Sequence, residues 1–228
     1  MIIAVFSLGQ FVSSKLDILK LGFENWFKAQ HKEVSGEAVW QWMANNLTPL
    51  RLGNITVKQF CDQFNQYFQV EISFTEFNKI FNSMCELDKS SLERITKFKN
   101  FLDSHNDVQF VLVSHTNYSH LNYILSQLQN ILPENQSLII NDETHWLVDG
   151  KILFAPSMSS KCTEHSDTLK YAVDKLKLEE KDSIISFLNT IKKFEHPNFN
   201  YIDPGKDLEK VMEVIENLAS IKELVYAL

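Results

Sequence analysis

The chain has 228 residues, 44% of them apolar and 22% charged, with a formal net charge of −7. This describes a globular chain long enough to bury a sizeable core, and its acidity argues against a nucleic-acid partner, whose phosphates call for a basic face. Its three cysteines, Cys61, Cys85 and Cys162, have neither zinc nor disulfide-framework spacing, so a reducing, cytoplasmic setting is expected.

The chain opens on "MIIAVFSLGQFV", a nearly continuous apolar run from Met1 to Leu8 that predicts a buried strand with Ser7 at its tip. No basic residue precedes this run and no small-residue cleavage site follows it, so it does not read as an export signal. No apolar run reaches membrane-spanning length, and no membrane contact is expected. From Ser13 to about Phe101 the pattern is helical throughout, in "SSKLDILKLGFENWFKAQ", "SGEAVWQWMANNL", "TVKQFCDQFNQYF", "SFTEFNKIFNSM" and "SSLERITKFKNFL". Ser, Thr or Gly stands near several of these starts, as N-caps do. Trp26, Trp40 and Trp42 fall at helical spacing, which predicts packing inside this module rather than a ligand cage.

A second apolar strand is expected at "DVQFVLVS", Asp107 to Ser114, followed by a helix in "YSHLNYILSQLQNIL". "SLIIN" (137–141) offers a further strand, "SDTLKYAVDKLKL" a helix, "DSIISFL" (182–188) and "NFNYID" (198–203) two more strands, and "GKDLEKVMEVIENLASI" a terminal helix. Strands apolar on both faces that alternate with helices indicate βαβ units. The expected fold class is therefore α/β: a doubly wound, mostly parallel, Rossmann-like sheet formed by residues 1–13 and 101–228, with a helical module over 14–100 inserted after the first strand.

This order of elements, with its motifs, resembles the haloacid-dehalogenase-like (HAD) phosphohydrolases that carry a helical cap. "VFSLGQFV" is similar to a first motif reading Phe-Asp-Leu-Gly-Gly-Val, and "GNITVKQF" to a cap segment reading Gly-Glu-Ile-Thr-x-x-x-Phe. "FVLVSHTNYSHLNYI" is similar to a second motif reading Ser-Asn-Thr-Asn-x-x-His, with Ser114, Thr116, Asn117 and His120 on the pattern. "TLKYAVDKLKLEEKDSII" resembles the third-motif helix and the strand after it.

The resemblance implies a chemistry. An aspartate at the first strand tip attacks a phosphoryl group, magnesium held by carboxylates neutralises the developing charge, and a hydroxyl and a lysine hold the phosphoryl oxygens. All of these groups belong at the carboxyl ends of parallel strands. In this chain Ser7 stands at the nucleophile position and Gly9 two residues on, while Phe187 and Leu188 stand where an Asp-Asp pair belongs. Ser114 keeps the hydroxyl. The lysine position falls on Thr163 or Ser160 according to the direction of counting, with Lys161 between them. Loss of a nucleophile costs about 10⁶ in kcat in the serine proteases. A serine needs a base to replace the carboxylate, and His115 and His120 are the nearby candidates for one.

The expectation is a catalytically degenerate HAD-like protein that acts by binding. Ser114, Thr116 and Lys161 would form a remnant anion site at a strand tip and helix N-terminus, for a small phosphorylated ligand or a protein partner. No cofactor is expected on this reading. Magnesium enters only on the alternative, an active phosphohydrolase whose metal site is rebuilt from acids such as Asp142, Glu143 or Asp203. A third reading is a structural or interaction protein with Phe187 or Leu188 filling the crevice. An open crevice lined by Ser114 and Thr116 separates the binding reading from that one.

Overall fold

The computed structural model describes residues 1–12, 14–105, 107–114, 116–128, 137–141, 144–149, 152–156, 165–176, 178–203 and 210–218. Its centre is a seven-stranded sheet: β1 (Ile2–Ser7), β2 (Val108–Ser114), β3 (Ser137–Asn141), β4 (Thr144–Asp149), β5 (Ile152–Pro156), β6 (Ser183–Ser186) and β7 (Phe199–Tyr201), in the order β3-β4-β5-β2-β1-β6-β7. The five strands from β5 to β7 in this order run parallel, and β3 and β4 add an antiparallel edge beyond β5. The chain is an α/β protein.

β1 is central because every side chain from Ile2 to Phe6 is fully buried, and a strand covered on both faces belongs inside a parallel sheet. The period of two divides it. Ile2, Ala4 and Phe6 join one apolar cluster, while Ile3 and Val5 join another on the opposite face. β2 divides the same way, with Val108, Phe110 and Leu112 on the first face and Val111 and Val113 on the second. The first face is covered by Leu121 and Ile124 of α7 (Tyr118–Gln127), by Phe98 and Phe101 of α6 (Lys89–Ser104), and by Val211 and Ile215 from the helix at 210–218. The terminal helix thus packs on the sheet. The second face takes Leu169 and Ala172 of α8 (His165–Leu176).

After β1 the chain makes one helical turn, α1 (Leu8–Phe11), and enters the insert: α2 (Leu16–Ala29), α3 (Gly36–Arg51), α4 (Val57–Phe68) and α5 (Phe74–Asn82). Ser35 and Ser73 cap α3 and α5 by accepting from Ala38 N–H and Glu76 N–H, and Thr56 and Gln59 form a capping box on α4. These helices share a separate cluster that includes Phe23, Trp26, Phe27, Trp42, Phe60, Phe64, Phe77 and Phe81. Trp26 and Trp42 are therefore core residues of the insert. Lys15 N–H donates to the Met84 carbonyl at 2.9 Å, which joins the beginning and end of this four-helix unit.

The expected module boundary at residue 100 falls inside α6, whose Phe98 and Phe101 pack with the sheet. Helical periodicity marks α6 as amphipathic but does not say which cluster its apolar face joins. β4 and β5 were not expected as strands. Asp149-Gly150 between two apolar runs carried the hairpin signal, and Asp149 pairs with Ile152 across it.

Gly36, the first residue of α3, lies against α2, and a Cβ there would sit 2.3 Å from the Lys20 carbonyl oxygen. Backbone cannot yield as a side-chain end can. Gly36→Ala is expected to destabilise the protein by about 1–3 kcal/mol in urea unfolding, and unchanged stability would show that the two helices are not this close.

Candidate functional site

The register places the strand ends along one edge. Ser7 of β1 pairs with Val113 of β2, Ser114 pairs with Pro156 at the end of β5, and Val5 pairs with Ser186 at the end of β6. Parallel α/β sheets place their sites at this edge.

At the β1 tip, Ser7 Oγ accepts from Gly9 N–H at 3.1 Å. Ser7 N–H donates to Gln10 Oε1 at 2.8 Å, and Gln10 Nε2 donates to the Phe187 carbonyl at 3.2 Å. Gln10 therefore clasps the β1 tip to the chain leaving β6. Nothing in the sequence flagged Gln10, because its partner lies 177 residues away.

Phe187 is buried and stacks on Phe6, with ring centroids 4.9 Å apart and planes 9° apart. Leu188 is buried in the cluster on the other face, and its N–H donates to Ser186 Oγ at 3.2 Å. The two positions belong to the two apolar cores, and neither lines the crevice described next. Asn189 follows and accepts from the Tyr201 hydroxyl, and Asp203 is exposed beyond β7. Asp142, Glu143, His115 and the segment holding Ser160, Lys161, Cys162 and Thr163 lie outside the described residues.

A crevice of about 160 Å³ opens between the insert and the sheet edge. Gly9, Ser114, Thr116, Asn117 and His120 line its sheet side, and Trp40, Leu47, Arg51 and Phe81 line its insert side. Ser114 and Thr116 are half-buried there. Asn117 is the N-cap of α7, its Oδ1 accepting from His120 N–H at 3.1 Å. Ser7 is not among the described residues that line the crevice.

His120 is held on both ring nitrogens. Since Asn117 Oδ1 already accepts a bond, Asn117 Nδ2 donates to His120 Nδ1 at 3.0 Å. Nε2 then carries the proton and donates to the Phe81 carbonyl of α5 at 3.1 Å. Burial pushes its pKa down to about 4, a fall reinforced by the positive charge of Arg51. The ring is thus neutral at pH 7 with its lone pair engaged, so it is no base for Ser7. It ties α7 to α5 instead, beside Ser119 Oγ, which lies 2.7 Å from Asn78 Oδ1.

No protein-family model matches the sequence, and no curated protein matches it. Solved structures do match the fold. A protein from Porphyromonas gingivalis described as a predicted HAD-like family hydrolase is 16% identical, with a TM-score of 0.60 over 96% of this chain and 98% of its own. A HAD family enzyme from Bacteroides thetaiotaomicron is 13% identical in its magnesium complex, with a TM-score of 0.58 over 90% of this chain and 92% of its own. An Asp-to-Ala mutant of that enzyme, in complex with magnesium and inorganic phosphate, gives 0.59 over 90% and 95% at the same identity. The chain has the HAD-like fold.

These structures correct one expectation. Two of them hold magnesium, so magnesium belongs to the chemistry met on this fold and "no cofactor" is not the default. Four motif positions alone do not decide the presence of a cofactor. The described tips are nevertheless a poor match to the ion: magnesium favours carboxylate oxygens, and Ser7, Gly9, Phe187 and Leu188 carry none. Among the described residues no cluster of three or more His, Cys, Asp or Glu is placed to hold a metal.

Because folding lowers the His120 pKa, the unfolded chain binds the extra proton first. The stability that neutral His120 contributes is complete above pH 6.5 and is lost as pH falls toward 4. Urea unfolding is expected to show up to about 3 kcal/mol of stability lost across that window, beyond the loss seen in His120→Gln. Equal losses in the two proteins would contradict the buried, neutral assignment.

Proposed function

We propose that this HAD-like protein has lost aspartyl-phosphate chemistry and works by binding a small phosphorylated ligand at the crevice edge formed by Ser114 and Thr116. The observation that carries this reading is the contrast between two neighbouring tips. At β1 the nucleophile position is Ser7, whose Oγ is engaged by Gly9 N–H. At β2 the hydroxyls of Ser114 and Thr116 remain on an open crevice. Phe187 and Leu188 lie in the cores rather than in the crevice, which favours binding over the filled-crevice reading.

The chemistry follows from these groups. A phosphoryl group at the start of α7 meets the positive end of that helix and two hydroxyl donors. A serine ester formed at Ser7 would be far less reactive than an acyl phosphate, and no described base faces it to restart turnover. Lys161 is proposed as the additional cation, in the sequence position nearest the third-motif lysine. The cytoplasm is the proposed setting, a reading supported by the free, buried Cys61 and Cys85. No helix among the described residues is long and apolar enough to cross a membrane.

The second reading, a working phosphohydrolase, is favoured by the magnesium and phosphate held by the similar Bacteroides enzyme. Hydrolysis of p-nitrophenyl phosphate with and without magnesium separates the two. The expected result is no turnover above background in either condition, and no change in Ser7→Ala. Magnesium-dependent turnover that disappears in Ser7→Ala would establish the second reading.

A further inference from the structure

Arg51, the last residue of α3, lines the crevice from the insert side, opposite the Ser114–Thr116 edge. It is half-buried, and desolvation holds its guanidinium below its ordinary pKa. Among the described residues no carboxylate or carbonyl pairs with it. The neutral ring of His120 on the same crevice offers it no compensating charge. A cation partly withdrawn from water without a partner carries a cost, and the fold bears it at the wall of the crevice.

The surrounding wall is apolar. Trp40, Leu47, Phe81 and Ile124 line the same crevice, with Trp40 half-buried and the other three buried. A space of about 160 Å³ is close to the roughly 150 Å³ engineered cavity that accommodates benzene. Such a site suits a ligand with one charged end and one ring-sized apolar body. It is poorly suited to a ligand hydroxylated along its length, because these side chains offer few hydrogen bonds.

We propose that Arg51 anchors the anionic end of a small amphiphilic ligand, a phosphate or phosphonate bearing an aryl-sized apolar body, between the insert and the β2 tip. This rests on the reading of the Ser114–Thr116 edge as an anion site and names the ligand class that edge takes. Arg51 supplies a planar fork that binds two oxygens at once, which a lysine cannot reproduce. The apolar body stacks against Trp40 and displaces water from the wall.

The test uses phenylphosphonate, methylphosphonate and inorganic phosphate as non-hydrolysable probes, titrated calorimetrically into the full chain with and without magnesium. Phenylphosphonate is expected to bind at least tenfold more tightly than the other two. Arg51→Met is expected to weaken it at least tenfold, and Arg51→Lys to restore only part of that loss. The melting temperature of ligand-free Arg51→Met is expected to equal or exceed that of the natural protein, since an unpaired, half-buried cation has been removed. Phosphate binding that depends on Ser114 but not on Arg51, with no preference for the phenyl group, would overturn this inference and leave the anion site standing. No binding of any probe up to 10 mM, roughly the limit of weak site-specific affinity, would overturn both.

Discussion

β1 lies between β2 and β6, and its backbone hydrogen bonds to both set where every functional position falls. The strand is buried from Ile2 to Phe6 and alternates between two apolar clusters. A slip of one residue would exchange those faces and bury the wrong set. With the register fixed, Ser7, Ser114 and the end of β6 share one edge, and the insert leaves the sheet directly after α1. The crevice is a consequence of that exit: one wall comes from the sheet edge and the other from α3 and α5.

The same constraint places Phe187 and Leu188 in the two apolar cores. Phe187 continues the β6 line, its N–H donating to the Val5 carbonyl at 3.0 Å. Its ring stacks on Phe6, while Leu188 faces the other cluster. Burying each such side chain is worth about 1.5–3 kcal/mol, and a stacked aromatic pair adds about 0.5–1.5 kcal/mol. Carboxylates in these two positions would face apolar surroundings and need a cation to neutralise them. Gln10 supplies a polar clasp across this tip. The crevice, by contrast, presents a half-buried cation, two hydroxyls and a helix start. Apolar packing dominates the β1 and β6 tips, and polar exposure dominates the crevice beside them.

Much of this was legible in the sequence, for definite reasons. Runs such as "IIAVF" and "VQFVLV" read as strands buried on both faces because they are short, rich in β-branched and aromatic residues and apolar almost throughout, and the long helical stretch between them marks an insert. Ser114, Thr116, Asn117 and His120 were readable because they are close in sequence. The antiparallel pair β4 and β5 is harder to read, since both strands are short and break the βαβ rhythm. Gln10 and Arg51 were not readable at all. Gln10 acts through a partner 177 residues away, and Arg51 gains its meaning only when α3 folds across the β2 tip. His120 was visible as a motif residue, yet its role as a neutral tie between α7 and α5 depends on the Phe81 carbonyl, which no sequence pattern reveals. The magnesium met on this fold is not legible from four motif positions, because a metal site draws on residues from several strand ends.

The most direct test is an amide chemical-shift map of the ¹⁵N-labelled protein titrated with inorganic phosphate in the presence of magnesium. The account predicts shifts concentrated at Ser114, Thr116 and Asn117, with the amide of Ser7 and the residues around Phe187 left in place. Shifts centred on Ser7 and the β6 tip would contradict it and point to a catalytic centre that persists where the acids are missing.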